Sequence, residues 1–482
     1  MPPLSRRPSP LHRCFVLGLV ALALGCSPSD DGDEHTSGVP QEPVRTALPD
    51  STLDTPRHVV LISIDTLNAS ALASYGGDAD RQPHLDALAE HGTVFVDALS
   101  PASWTLPAHA SMLTGLYPEH HGATAPNLAI ASEQPKLAEC FQQAGYQTVG
   151  LVDGGYMKGP HGFSDGFELW DDRGEVRRNH HVAEKGDPFH RARRFIDSRD
   201  DDRPLFLFVQ TYLVHDYLHF RPWAATEQDH DDAGRERLGC LLGEMECAAE
   251  FWTAVQRVYA AEVRQVDRML GRFLEKLEDQ GLLSETLVVF TSDHGEGFDN
   301  VLKRLHHGGR LHGDQLRVPM IFAGPGVRSA AIEGPVSLVD LAPTLDDFVG
   351  LGCSDEAAPL DGVSLAPTLR GETAAPDART IFAYESYYYT EDGARKKRGR
   401  KRRDWVLRAA VDDASWLIER RGAPYELYRF DDRDQLEPRA TLDDGTEELA
   451  RRLGTREPAE LPVLTIRETA ALRAELEALG YL

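Results

Sequence analysis

The chain has 482 residues, 41% of them hydrophobic and 27% charged, the balance of a folded enzyme and not of a disordered or fibrous sequence. At that length a large domain with a smaller companion is expected, because single hydrophobic cores stop growing near ~250–300 residues. With 51 Lys and Arg against 77 Asp and Glu the formal net charge is −26, a surface that repels polyanions and argues against a nucleic-acid partner.

Residues 1–25 read as an export signal: Arg6, Arg7 and Arg13 precede an apolar run from Cys14 to Leu24, and Leu24-Gly25-Cys26 follows. That run is shorter than the ~20 residues a bilayer crossing needs. Small residues before a cysteine suit acylation at Cys26, which would make the protein a periplasmic or outer-membrane bacterial lipoprotein that meets the membrane only through its lipid. A simple secretory signal is the other reading. Residues 26–55, rich in Asp, Glu, Ser, Pro and Gly, form an acidic flexible tether. Loss of the three signal arginines lowers the basic count from 51 to 48 against 77 acids, a net of −29. Export also permits a Cys240–Cys247 disulfide, although the spacing is awkward if both cysteines sit on one helix.

From His58 onward, strands and helices alternate. His58–Ile64 is a continuous apolar run of the kind buried on both faces of a parallel sheet, with Asp65 at its carboxyl end. Similar runs follow at Thr148–Val152, Leu205–Val209, Leu287–Thr291 and Val318–Phe322, separated by helical stretches such as Pro83–His91 and Ala248–Leu277. This pattern predicts an open α/β sheet, whose ligands sit beyond the carboxyl ends of its strands. Asp65, His215 and Asp293 all fall just after such ends. The catalytic α/β domain is placed at residues 56–375. Beyond it, short segments at Thr380–Ala383, Trp405–Val411, Ser415–Ile418 and Glu426–Phe430, then a helical Ile466–Leu479, predict a C-terminal α+β subdomain over 376–482.

Two segments carry chemistry. In Ser103-Trp104-Thr105-Leu106-Pro107-Ala108-His109, running on to Gly115, Pro107 suits a first helical turn and Gly115 a helix end. Backbone N–H groups at such a start favour an anion beside Thr105. In Thr291-Ser292-Asp293-His294-Gly295-Glu296, the adjacent Asp293 and His294 can offer an oxygen and a nitrogen to one divalent ion. Asp65 and Thr105 would complete the cluster. Taken singly, each of these residues could be a cap.

Ile64-Asp65-Thr66-Leu67, Pro83 to Ala89, Thr105 to Gly115, Ser292 to Glu296 and His312-Gly313 with Arg317-Val318-Pro319 resemble, in order and rough spacing, the sulfatase family of the alkaline phosphatase superfamily. Leu341 to Leu345, Asp361 to Leu365, Glu426-Leu427-Tyr428 and Leu479 to Leu482 extend the likeness to the last residue. The resemblance implies a sandwich around a large mixed, mostly parallel sheet and an ester hydrolase for small sulfuric or phosphoric esters. It implies one divalent metal ion on Asp65, Thr105, Asp293 and His294, with Ca or Mn favoured over Zn. It also implies His109, His215 and His312 against the anionic substrate, with Thr105, His215 and His312 as the catalytic groups.

The sequence also departs from that family. Its sulfatases carry Cys or Ser at the nucleophile position, converted to formylglycine in a motif that ends in Arg; here the two places hold Thr105 and His109. Oxidation of threonine would give a ketone and not an aldehyde, which shifts weight toward phosphate or phosphonate esters. Asn68 and Ser70 stand where relatives often have an Arg and an acid. Two alternatives stay open: a two-zinc phosphodiesterase or nucleotide pyrophosphatase drawing on Asp216 and His219, and an envelope binding protein with an eroded site. Lys303, Arg304, Arg310, His306 and His307 are candidates to line an anion's path. The run Arg395 to Arg403 is either a polyanion dock or a solvated loop.

Overall fold

The computed structural model describes residues 54–77, 82–173, 186–215, 217, 249–299, 304–353, 359–385, 407–420, 423–431, 443–456 and 466. The export signal with Cys26, Asp216, His219, Cys240, Cys247, Lys303, the 395–403 run and all but the first residue of the helix expected over Ile466–Leu479 lie outside them. Among the described residues Cys140 and Cys353 are free thiols.

Eight strands form the main sheet: β1 (His58–Ile64), β2 (Thr93–Leu99), β3 (Gln147–Val152), β4 (Leu169–Asp171), β5 (Leu205–Thr211), β6 (Thr286–Thr291), β9 (Met320–Ala323) and β10 (Ala330–Ser337). Between β6 and β9, β7 (Gly297–Asp299) and β8 (Arg304–His306) make a separate two-stranded hairpin. The order across the main sheet is β10-β2-β9-β6-β1-β5-β3-β4. β1 runs parallel to both β5 and β6, and only β9 opposes its neighbours. The sheet is therefore mixed and mostly parallel.

The apolar runs are continuous because both faces are covered. Val59 and Leu61 face a core shared with Leu106, Ala110 and Met112 of the Thr105–Thr114 helix. Val60, Ile62 and Ile64 face the opposite core, shared with Val255, Val258, Val266 and Phe273 of the 31-residue helix Ala249–Asp279. One strand thus feeds two cores by its period of two, and the central strand ends point toward the site.

The C-terminal sheet is antiparallel in the order β11 (Ile381–Glu385), β12 (Leu407–Val411), β13 (Ser415–Arg420), β14 (Glu426–Arg429). One face packs Trp416, Ile418 and Tyr428 with Leu99, Leu311 and Leu316, and the other packs Leu417 and Leu427 with Tyr117, Val339 and Leu453. Helix Asp444–Gly454, started by a reciprocal Asp443/Thr446 capping box, covers that second face.

Candidate active site

Asp65 follows β1, and Asp293 and His294 follow β6, its immediate neighbour in the sheet. Parallel pairing brings both carboxyl ends to one edge, so residues more than 200 positions apart in sequence meet there. One donor atom from each of Asp65, Asp293 and His294 lies within 4.8 Å of the others, and all three residues are buried. His294 Nε2 is 3.3 Å from Asp293 Oδ2 and 3.9 Å from Asp65 Oδ1.

The ring orientation of His294 follows from its other nitrogen. Nδ1 donates to the Gly295 carbonyl at 2.9 Å, which leaves the Nε2 lone pair aimed at the two carboxylates. Burial, the leading cause, holds the His294 pKa below its ordinary value despite the facing Asp293 carboxylate. Burial alone would raise the Asp293 carboxyl, but His294, His109 and the Thr66 N–H outweigh it and hold Asp293 below the usual carboxylate range. Neither Asp293 Oδ2 nor His294 Nε2 has a hydrogen-bond partner. Buried lone pairs that converge without a proton repel one another, and a divalent cation is the group that such a donor set fits.

Thr105 opens its helix, and Trp104, in extended conformation, is the N-cap. Gly115 ends the helix at φ 73°, donating to the Ser111 carbonyl, as the Gly at that position predicts. The Thr105 hydroxyl donates to Asp65 Oδ2 at 3.2 Å, and the Gln210 side-chain amide approaches the same oxygen at 3.5 Å. His109, one turn on, is fully buried. Its Nδ1 donates to the Thr105 carbonyl at 3.0 Å and lies 3.3 Å from Asp293 Oδ2, while Nε2 meets the Ser63 hydroxyl at 2.9 Å.

The other two expected histidines take different neighbours. The His215 ring lies 5.0 Å from that of His307, which is itself 4.6 Å from the ring of His294. His312 Nε2 reaches the Tyr428 hydroxyl at 3.2 Å and Glu426 Oε2 at 3.5 Å, on β14 of the C-terminal sheet. Asn68 ties loops together: its side-chain amide donates to the carbonyls of Glu296 and Asp314. Ser63 and Gln210 were not anticipated as site residues, though a signal was there. Each is a polar residue near the carboxyl end of a largely apolar strand, and the two are register partners in β1 and β5.

An open α/β sheet that places two carboxylates, an imidazole and a helix-initiating hydroxyl beyond its central strand ends has the groups that hydrolysis of an anionic ester needs. The family model for Sulfatase matches residues 57–351. The N-sulphoglucosamine sulphohydrolase of Homo sapiens is 26% identical over 366 residues, which span 69% of this chain and 69% of that protein. The choline-sulfatase of Rhizobium meliloti is 23% identical over 444 residues, 81% of this chain and 84% of that one. The crystal structure of the phosphonate monoester hydrolase of Agrobacterium radiobacter superposes with a TM-score of 0.64 at 21% identity, over 86% of this chain and 100% of that one. The chain belongs to the sulfatase family. It is an ester hydrolase.

Proposed function

We propose that the protein hydrolyses phosphoric or phosphonic esters in preference to sulfuric esters, with unmodified Thr105 as its nucleophile. The observation that carries this is the Thr105 hydroxyl, 3.2 Å from Asp65 Oδ2 at the head of its helix and beside the Asp65, Asp293 and His294 cluster. A threonine cannot supply the aldehyde hydrate on which formylglycine sulfate chemistry depends. It can attack directly as an alkoxide.

Asp65, Asp293, His294 and Thr105 would hold one divalent ion, which when bound lowers the pKa of the hydroxyl and neutralises the ester oxygens. Two carboxylates with an imidazole favour Mn over Ca, since calcium prefers an all-oxygen shell. The remaining work falls to the chain. Asp65 Oδ2 accepts the Thr105 hydrogen bond and so aims the oxygen's lone pairs away from itself. Gln210 steadies that carboxylate.

His109 has both ring nitrogens engaged inside the protein, so it braces the Thr105 turn against Ser63, and substrate contact falls to His215 and His312. These two are the candidates to protonate the leaving oxygen. Residues 1–26 support delivery of the enzyme to the cell envelope.

The test is a screen of purified, metal-loaded protein against p-nitrophenyl sulfate, phosphate monoester, phosphate diester and phosphonate. A phosphorus ester should be the best substrate. Thr105→Ala should lower kcat and kcat/KM together by about 10³-fold or more while metal content and fold persist. Undiminished turnover by Thr105→Ala ends the nucleophile assignment, and a strong preference for the sulfate ester overturns the phosphorus preference.

A further inference from the structure

Glu296, three residues beyond Asp293, is part of a second group of donors. One ligand atom each from Glu296, His306 and His307 lie within 4.8 Å of one another. We propose that these three side chains form a second divalent-cation site of zinc type, on the His215 side of the first.

The chain is built to hold them together. β7 and β8 pair as a hairpin in which Gly297 stands opposite His306. A Cβ at Gly297 would come within 2.8 Å of the His306 carbonyl and 3.1 Å of Asp314 Oδ2, so only glycine lets the hairpin close this tightly. His306 is held at φ 134°, a conformation rare for a residue with a Cβ. The side-chain amide of Gln315 pins the His306 carbonyl at 2.8 Å. The Glu296 carboxylate is fixed in turn, accepting from Gly297 N at 3.1 Å and from His307 Nδ1 at 3.2 Å. Its own carbonyl is held by Asn68.

The chemistry of this donor set is specific. Glu296 is 1% exposed, and a carboxylate buried so deeply is costly to keep charged unless positive charge faces it. Two imidazoles and one carboxylate are a donor set that zinc takes in open, four-coordinate sites. Calcium and magnesium would need more oxygens. The site is distinct from the Asp216 and His219 set considered for a second zinc ion. It adjoins the first centre through the His307 and His294 rings, 4.6 Å apart, so an ion here would add positive charge beside the ester oxygens.

The experiment counts metal and does not depend on turnover. The full chain, stripped with chelator, is titrated with Zn²⁺ against a chromophoric competitor, and bound zinc is counted by mass spectrometry after desalting. Wild type should take two Zn²⁺ per chain, and Glu296→Gln and His306→Ala one each. Asp293→Asn, which removes a ligand of the first centre only, should also take one, and Asp293→Asn with Glu296→Gln should take none. Circular dichroism checks each fold. His306 is only partly buried, so its variant is informative even where a change at buried Glu296 unfolds the loop. A single zinc ion in wild type, or two in folded His306→Ala, overturns the second site. Two zinc ions in Asp293→Asn would instead overturn the first-centre assignment and leave the second standing.

Discussion

At the scale of single residues, Thr66 shows how the turn between Asp65 and Asp293 is held. Its φ of 59° lies in the left-handed region, which a β-branched side chain rarely occupies and which costs about 1–3 kcal/mol. Three bonds hold it there: its N–H donates to Asp293 Oδ1, its hydroxyl to the Asp65 carbonyl, and the Tyr259 hydroxyl donates to its own carbonyl at 2.7 Å. The Tyr259 hydroxyl also accepts from the Asn68 N–H at 2.9 Å. Tyr259→Phe would therefore strand a buried carbonyl and a buried N–H at once. It should lower unfolding free energy by about 2–4 kcal/mol in denaturant titration and weaken metal affinity, because Thr66 ties the Asp293 carboxylate to the Asp65 backbone. Wild-type stability and metal affinity in this variant would show that the left-handed turn holds itself. None of this was legible beforehand, since the sequence of an Asp-Thr pair does not reveal a backbone dihedral. That Asp65, Thr105, Asp293 and His294 come together was legible, because each marks a strand end or helix start in a recognisable motif.

Among the elements, the central strands declared themselves, and the reason is burial. β1, β5 and β6 are covered on both faces and carry largely apolar runs. β2 and β10 were not anticipated: β10 contains Gly334 and Pro335, with a register shift between Ile332 and Pro335, as an edge strand tolerates. β9 was expected as one more strand of the set, but it begins at Met320 and runs antiparallel, because direction is a property of pairing and not of composition. Helix Asp444–Gly454 also went unanticipated; its apolar residues Leu449 and Leu453 are few, and they bury only against the C-terminal sheet.

The first residue of β1 makes a pH prediction at this scale. His58 Nδ1 accepts from Leu205 N at 3.0 Å, tying β1 to β5, and burial with nearby Arg199 and Arg57 lowers its pKa to about 4. The unfolded chain, with an ordinary histidine near 6.5, binds a proton in that window and the folded one does not. Stability should thus be lost as pH falls from about 6.5 toward about 4, and His58→Gln should flatten that part of the profile. Equal slopes for the two proteins in denaturation midpoints across this range would count against it.

For the whole molecule, the question is how the C-terminal sheet and the main sheet act as one. Arg317, five residues beyond His312, is 6% exposed and joins them. It donates to Asp97 Oδ1 of β2 at 2.7 Å and to the Phe430 carbonyl at 2.5 Å, and its guanidinium lies 4.7 Å from the Phe430 ring and 5.5 Å from Trp416. The same sheet carries Tyr428 and Glu426, the partners of His312. Arg317→Met keeps the apolar stem but leaves the Asp97 carboxylate buried without its guanidinium, which should cost about 3–5 kcal/mol. Pairing it with Asp97→Asn should restore part of that loss, since the stranded charge is gone. Because the proposed ligands Asp65, Asp293 and His294 follow β1 and β6 of the main sheet, Arg317→Met should match wild type in metal content. Its kcat should nevertheless fall as His312 loses a fixed partner. Metal content, denaturation midpoint and kcat measured on the one variant separate these effects. Metal lost in proportion to activity would mean that Arg317 supports the first centre directly, and an unchanged kcat would mean that His312 needs no support from the C-terminal sheet.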